Sequence, residues 1–93
     1  MKAAGAVFSI PGEERDMSIP GEGIHEMGTA RMGDDPSESV LNQYNQAHDV
    51  ANLFVTDGSF MTSSSCVNPS LTYMAFTARA CDYAVKQMAE GFI

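Results

Sequence analysis

The stretch Asn68–Pro69–Ser70–Leu71–Thr72–Tyr73–Met74–Ala75–Phe76, running on to Gly91, decides the fold. Apolar or small residues recur at Leu71, Met74, Ala75, Ala78, Cys81, Val85 and Met88. Spacing of three and four predicts an amphipathic helix over 69–89. Asn68 is placed as its N-cap and Pro69 at the first helical position, where a missing N–H costs nothing. Gly91 supplies the stop. Arg79, Asp82 and Lys86 fall on the other side, but so do Thr72, Tyr73, Phe76, Ala80, Tyr83 and Ala84. A helix apolar most of the way round needs cover on more than one side. Ninety-three residues cannot easily supply that cover, so the chain is expected to be a piece of something larger.

Upstream of the helix, Asn52–Leu53–Phe54–Val55–Thr56 is a compact apolar run ending at Asp57–Gly58, the pattern of a buried strand that stops at a tight turn. A loop of small hydroxyls, Ser59, Thr62, Ser63, Ser64 and Ser65, joins that turn to the helix. Residues 25–52 are polar and irregular, with Gly28, Gly33, Asp34–Asp35–Pro36 and an Asn/Gln-rich stretch from Asn42 to Gln46. They read as ordered loop, since so small a domain cannot carry them as slack. Residues 1–24 form a lead-in: Pro11–Gly12 and Pro20–Gly21–Glu22–Gly23 punctuate it, leaving Ala6–Val7–Phe8–Ser9–Ile10 as at most one short strand.

Twelve acidic against five basic residues give a formal charge of −7, and phosphate binding needs the opposite sign, so a nucleic-acid partner is not expected. No apolar run reaches the roughly 18 residues of a membrane span. Cys66 precedes the helix and Cys81 lies about 18 Å along it at 1.5 Å per residue, too far apart for a disulfide. Both are expected as free thiols. Asn68–Pro69–Ser70 is not a glycosylation sequon, because proline occupies the middle position.

Single residues carry little. His25–Glu26–Met27–Gly28–Thr29 resembles the zinc-protease pair H-E-x-x-H only until its last position, where Thr29 stands and no second ligand follows. No metal is expected. Gly21–Glu22–Gly23–Ile24–His25–Glu26 begins like a dinucleotide fingerprint, but Glu26 occupies the third glycine position. Taken alone, His25 reads as a satisfied loop histidine, His48 as structural, and Asn68 as a cap. Cys66 near a helix N-terminus has no base fixed beside it by sequence, and the methionines read as core filler.

Read in order, the segments say more. His25-x-x-Gly28–Thr29-x-Arg31–Met32–Gly33, then Asn52–Leu53–Phe54–Val55–Thr56–Asp57–Gly58–Ser59, then Asn68–Pro69–Ser70–Leu71–Thr72 opening an Ala-rich helix, resemble the C-terminal region of the glucose-methanol-choline (GMC) flavoprotein oxidoreductases. The resemblance covers roughly residues 24–90. It implies an α+β fragment with ordered loops, one or two short strands and a long C-terminal helix, belonging to a larger α/β FAD-binding fold. Within 25–93 the active-site loop would be 25–52, the strand and flavin-proximal loop 53–68, and the helix 69–89. It implies His25 as active-site base and Asn68 as a second polar group on the same substrate oxygen. Asp57, Gly58, Pro69, Ser70 and Leu71 would contact the FAD.

That implication is chemically coherent. Oxidising an alcohol requires a base for the hydroxyl proton while hydride leaves carbon, and imidazole suits that task near neutral pH. An asparagine amide can donate to the developing alkoxide without competing for the proton. A helix N-terminus favours the negative charge that gathers on reduced flavin. The family's G-x-G-x-x-G is absent from the 93 residues. The expectation is therefore a C-terminal catalytic portion, inactive by itself. It would need an FAD-binding segment in cis or trans, with an alcohol or sugar as substrate. The rival expectation is a non-enzymatic remnant or a small acidic interaction domain.

Overall fold

The computed structural model describes residues 2–8, 19 and 21–93. One long helix, α1 (Ser70–Glu90), organises them, with single 3-10 turns at Lys2–Ala4 and Gly58–Phe60. The Ala6–Ile10 piece falls partly outside the described residues; Ala6, Val7 and Phe8 are irregular and exposed.

α1 starts and stops one residue later than its spacing predicts. Pro69 holds the N-cap position, and no side chain caps the first turn. Asn68 is therefore not the cap; its side chain is turned to another partner, described below. The C-terminus closes as the sequence indicates. Gly91 adopts a left-handed φ of 76°, its N–H bonds Met88 O at 3.2 Å, and Phe92 N–H reaches Gln87 O at 3.0 Å. Such a cap needs the missing Cβ of glycine.

The larger correction concerns which face of α1 is covered. Leu71, Met74, Ala75, Ala78, Cys81, Val85 and Met88, the stripe expected to face the core, are exposed, Leu71 at 79% and Met74 at 69%. The covered stripe is Tyr73, Phe76, Ala80, Tyr83 and Gln87, with Ala80 only 2% exposed. Both stripes repeat at three and four residues, so spacing does not distinguish them. Bulk does: aromatic rings bring far more burial per residue than Ala, Cys or Met. Phe76 stacks on Phe60 with centroids 4.7 Å apart, and Tyr73 meets Phe60 edge-on at 6.3 Å. Tyr83 stacks on Tyr44 at 4.0 Å and meets Phe54 edge-on at 6.4 Å. Between them Arg79 lies over the Phe76 ring, 4.3 Å from its centroid, and donates to the Gln43 carbonyl.

The loops wrap around a small centre of Leu41, Ala47 and Phe60, against which Ala30, Met32, Val55, Met61, Tyr73 and Phe76 pack. Among the described residues no β-strand forms. Pairing is confined to isolated bridges of Met32 with Leu41, Leu41 with Ala47 and Gln46 with Phe54. The run Asn52–Thr56 is thus an extended segment rather than the expected strand, because a ladder needs a continuous partner and Phe54 finds only Gln46. Backbone bonds that a sheet would have made are made loop to loop instead: Val55 N–H to Asn45 O at 3.0 Å, Ala47 N–H to Leu53 O at 2.9 Å and Gly33 N–H to Leu41 O at 2.9 Å. Asn45, fully buried at a left-handed φ of 62°, locks this arrangement by donating its amide to Val55 O at 2.9 Å. Asparagine is among the few residues that tolerate that conformation.

Candidate active site

The His25 loop is fixed from both ends. Glu26 turns its carboxylate back so that one oxygen accepts the N–H groups of Gly21 and Gly23, each at 3.0 Å. Downstream, Gly28 takes a φ of 86°, and the backbone then pairs with the turn after Asp57: Ala30 N–H to Ser59 O and Met32 N–H to Phe60 O, both 3.0 Å. His25, half-buried, stands between these anchors.

Its partner comes from the other end of the chain. His25 Nε2 lies 2.9 Å from Asn68 Oδ1, across 43 residues of sequence. With Oδ1 accepting, Nε2 carries the hydrogen; turning the amide over presents Nδ2–H to an unprotonated Nε2 instead. Asn68 sits two residues before α1 and next to the buried Pro69. Because its side chain is engaged by His25, the first turn of the helix keeps unpaired N–H groups, with Ser70 and Leu71 exposed there.

The Asp57–Gly58 turn meets the same loop. Asp57 caps the short turn Gly58–Phe60, accepting from Ser59 N–H at 3.0 Å and from the Ser59 hydroxyl. These two bonds, the hydroxyl's first, hold its carboxyl below the ordinary carboxylate range. Its side chain is exposed. Gly58 is pressed against the Tyr73 hydroxyl and lies close to the Glu26 carbonyl: a Cβ built on it would stand 2.6 Å from the first and 3.3 Å from the second. Only glycine fits without displacement. The three segments that the sequence singles out, around His25, Asp57–Gly58 and Asn68–Pro69, are therefore brought together in one corner.

Two residues of this corner escape a reading of the sequence. Glu26 looks like a surface acid, and Tyr73 like one more aromatic on a helix. Tyr73 had a signal: it stands four positions after Pro69, its N–H bonding Pro69 O at 3.1 Å, and helical side chains lean toward the N-terminus. His48, by contrast, stays out of the corner. Its Nε2 lies 3.0 Å from Ser39 Oγ and 3.2 Å from Gly33 O. Cys66 and Cys81 are free and exposed.

The geometry thus sets a loop histidine against an amide just before a helix, beside a glycine turn, and comparison with known proteins identifies the family. Residues 8–77 match the family model of the GMC oxidoreductases, in its C-terminal region. The chain belongs to that family, whose members generally use FAD. It is 40% identical over 89 residues, 96% of its length, to a 2-methyl-1,2-propanediol dehydrogenase of Mycolicibacterium austroafricanum. It is 37% identical over 67 residues, 72% of its length, to the fructose dehydrogenase large subunit of Gluconobacter japonicus. A cholesterol oxidase of Mycobacterium tuberculosis is 38% identical over 56 residues, 60% of this chain. The chain spans only 16%, 12% and 10% of these relatives, respectively.

Proposed function

We propose that this chain is the catalytic C-terminal portion of an FAD-dependent oxidoreductase acting on the CH–OH group of an alcohol or sugar, within a larger α/β FAD-binding fold. The observation that carries the reading is the direct His25–Asn68 contact at 2.9 Å. A substrate hydroxyl taking the place of that contact meets complementary groups on both sides. Its proton passes to His25 Nε2, in the tautomer that leaves this nitrogen free, and Asn68 Nδ2–H donates to the oxygen as negative charge develops. The imidazolium then faces the oxygen of the carbonyl product.

The residues present suit FAD: an uncapped first turn at Ser70 and Leu71 favours an anionic ring edge, and Asp57 and Gly58 border the same corner. These residues, with Pro69, would hold the cofactor. FAD, when bound, supplies the two-electron acceptor for the hydride leaving carbon. The FAD-binding segment is provided in cis or in trans, and the isolated chain has no turnover. The exposed Leu71–Met88 stripe also suits the alternative, a non-enzymatic acidic interaction domain.

The test is His25→Ala in the assembled enzyme. Turnover is expected to fall roughly 10²- to 10⁴-fold, the usual worth of a positioned base, with FAD retained. Unaltered turnover would remove His25 from catalysis. Tight, reducible FAD bound by the 93-residue chain alone would overturn the inactivity of the fragment.

A further inference from the structure

We propose that Tyr73 is a positioning residue: its hydroxyl, wedged against Gly58 and Met27, sets the separation between the His25 loop and the start of α1, and so the His25–Asn68 distance. The inference rests on the catalytic reading only for its effect on turnover; its geometric content stands apart.

Four observations converge on it. Tyr73 Oη lies 3.8 Å from Met27 Sδ, two residues beyond His25. The same oxygen occupies the space where a Gly58 Cβ would stand, at 2.6 Å, with Cζ at 3.1 Å. The ring is clamped edge-on by Phe60, itself 2% exposed, so it does not yield easily. Its backbone N–H bonds Pro69 O at 3.1 Å, tying it to the residue after Asn68. The side chain thus touches the loop of the base and the glycine turn, while the backbone of the same residue is tied to Pro69, the residue after the amide. His25 and Asn68 share a single hydrogen bond between exposed groups, which is too weak to hold the two elements in place without such support.

A size exchange tests this. Gly58→Ala forces the Tyr73 hydroxyl away, and Tyr73→Phe in the same chain removes the closest atom the new methyl meets, leaving only the milder contacts with Cζ at 3.1 Å and the Glu26 carbonyl at 3.3 Å. In the isotope-labelled full chain, the cross-relaxation between the His25 ring and the Asn68 side-chain amide is read by NMR. It is expected to drop at least about twofold in Gly58→Ala and to recover in Gly58→Ala/Tyr73→Phe. In the assembled flavoenzyme, turnover should fall about tenfold in the single variant, as for a modest misplacement of reacting groups, and return most of the way in the double. Loss of a flavin contact at Gly58 predicts no such rescue. A double variant no better than Gly58→Ala, or recovery of helix content without recovery of the His25–Asn68 signal, overturns the proposal; so does an unchanged signal in Gly58→Ala. Failure of the catalytic reading is separate: it would appear as full turnover in His25→Ala, with the NMR rescue intact.

Discussion

The two histidines of this chain sit in contrasting settings. His48 is half-buried and held entirely by its own neighbourhood, Ser39 nine residues away and the Gly33 carbonyl fifteen away. Ser39 Oγ already donates to the Asp35 carbonyl at 2.7 Å, so it receives from His48 rather than giving it a proton. Nε2–H is shared between two acceptors, and the ring fastens the 33–41 loop. Among the described residues His25 has one hydrogen-bond partner, drawn from 43 residues away, while Glu26 and Gly28 shape its loop on either side. A saturated histidine is a fastener; one with a single replaceable partner can exchange it for a substrate hydroxyl, as the proposed function requires.

The largest effect that tests this contrast is a dissociation at His25. His25→Ala should cut turnover of the assembled enzyme by orders of magnitude while changing the unfolding free energy of the chain by less than about 0.5 kcal/mol, as for other substitutions away from the packed core. Urea unfolding monitored by circular dichroism checks the second half. A stability loss comparable to that of a core truncation would place His25 among the fasteners too.

Next in size is the difference between the two faces of α1. Phe76→Ala removes a ring stacked on Phe60 and lying under Arg79, and should cost about 3 kcal/mol. Met74→Ser and Val85→Ser, on exposed positions, should each cost less than about 0.5 kcal/mol in this chain. Equal costs on the two faces would mean that the outer stripe is covered in solution. This is also where the sequence was least legible. The association of His25 with Asn68 came only from what the family resemblance implies, whereas the helix and its glycine stop could be read from spacing. The covered face could not, because two apolar stripes of the same period coexist and only the position of Phe60, Tyr44 and Phe54 chooses between them. The strand at 52–56 was misread for a related reason: an apolar run states a wish for burial, while a strand requires a partner that lies elsewhere in the chain. Asn45 and Gln46, buried polar residues inside a stretch that looks like plain loop, belong to the same class of non-local information.

His48→Ala mirrors His25→Ala at smaller scale. Losing the shared donor leaves Gly33 O and Ser39 Oγ less satisfied in a partly buried place, at about 1–2 kcal/mol. Turnover of the assembled enzyme should follow only the loss of folded protein. Normalising rate to folded fraction decides the matter: a residual drop beyond about threefold (0.65 kcal/mol by the transition-state relation) would give His48 a part in the chemistry.

The smallest expected effect separates the two regions by pH. Ser59 depresses the Asp57 carboxyl below its ordinary 3.8. A depressed folded-state value means that the capped turn stabilises the chain at pH values above the unfolded carboxylate pKa. That stability is lost as pH falls through the folded value. Ser59→Ala removes the hydroxyl bond but keeps the backbone one, so Asp57 should titrate higher, nearer its ordinary value, by carboxyl-carbon NMR. The variant should be less stable than the parent at neutral pH and equal to it once Asp57 is protonated in both. Because Asp57 is exposed, solvent screening keeps the difference small. Its position matters more than its size: the same turn carries Gly58 against Tyr73, so a loosened cap should widen the His25–Asn68 pair and leave the His48 bonds unmoved.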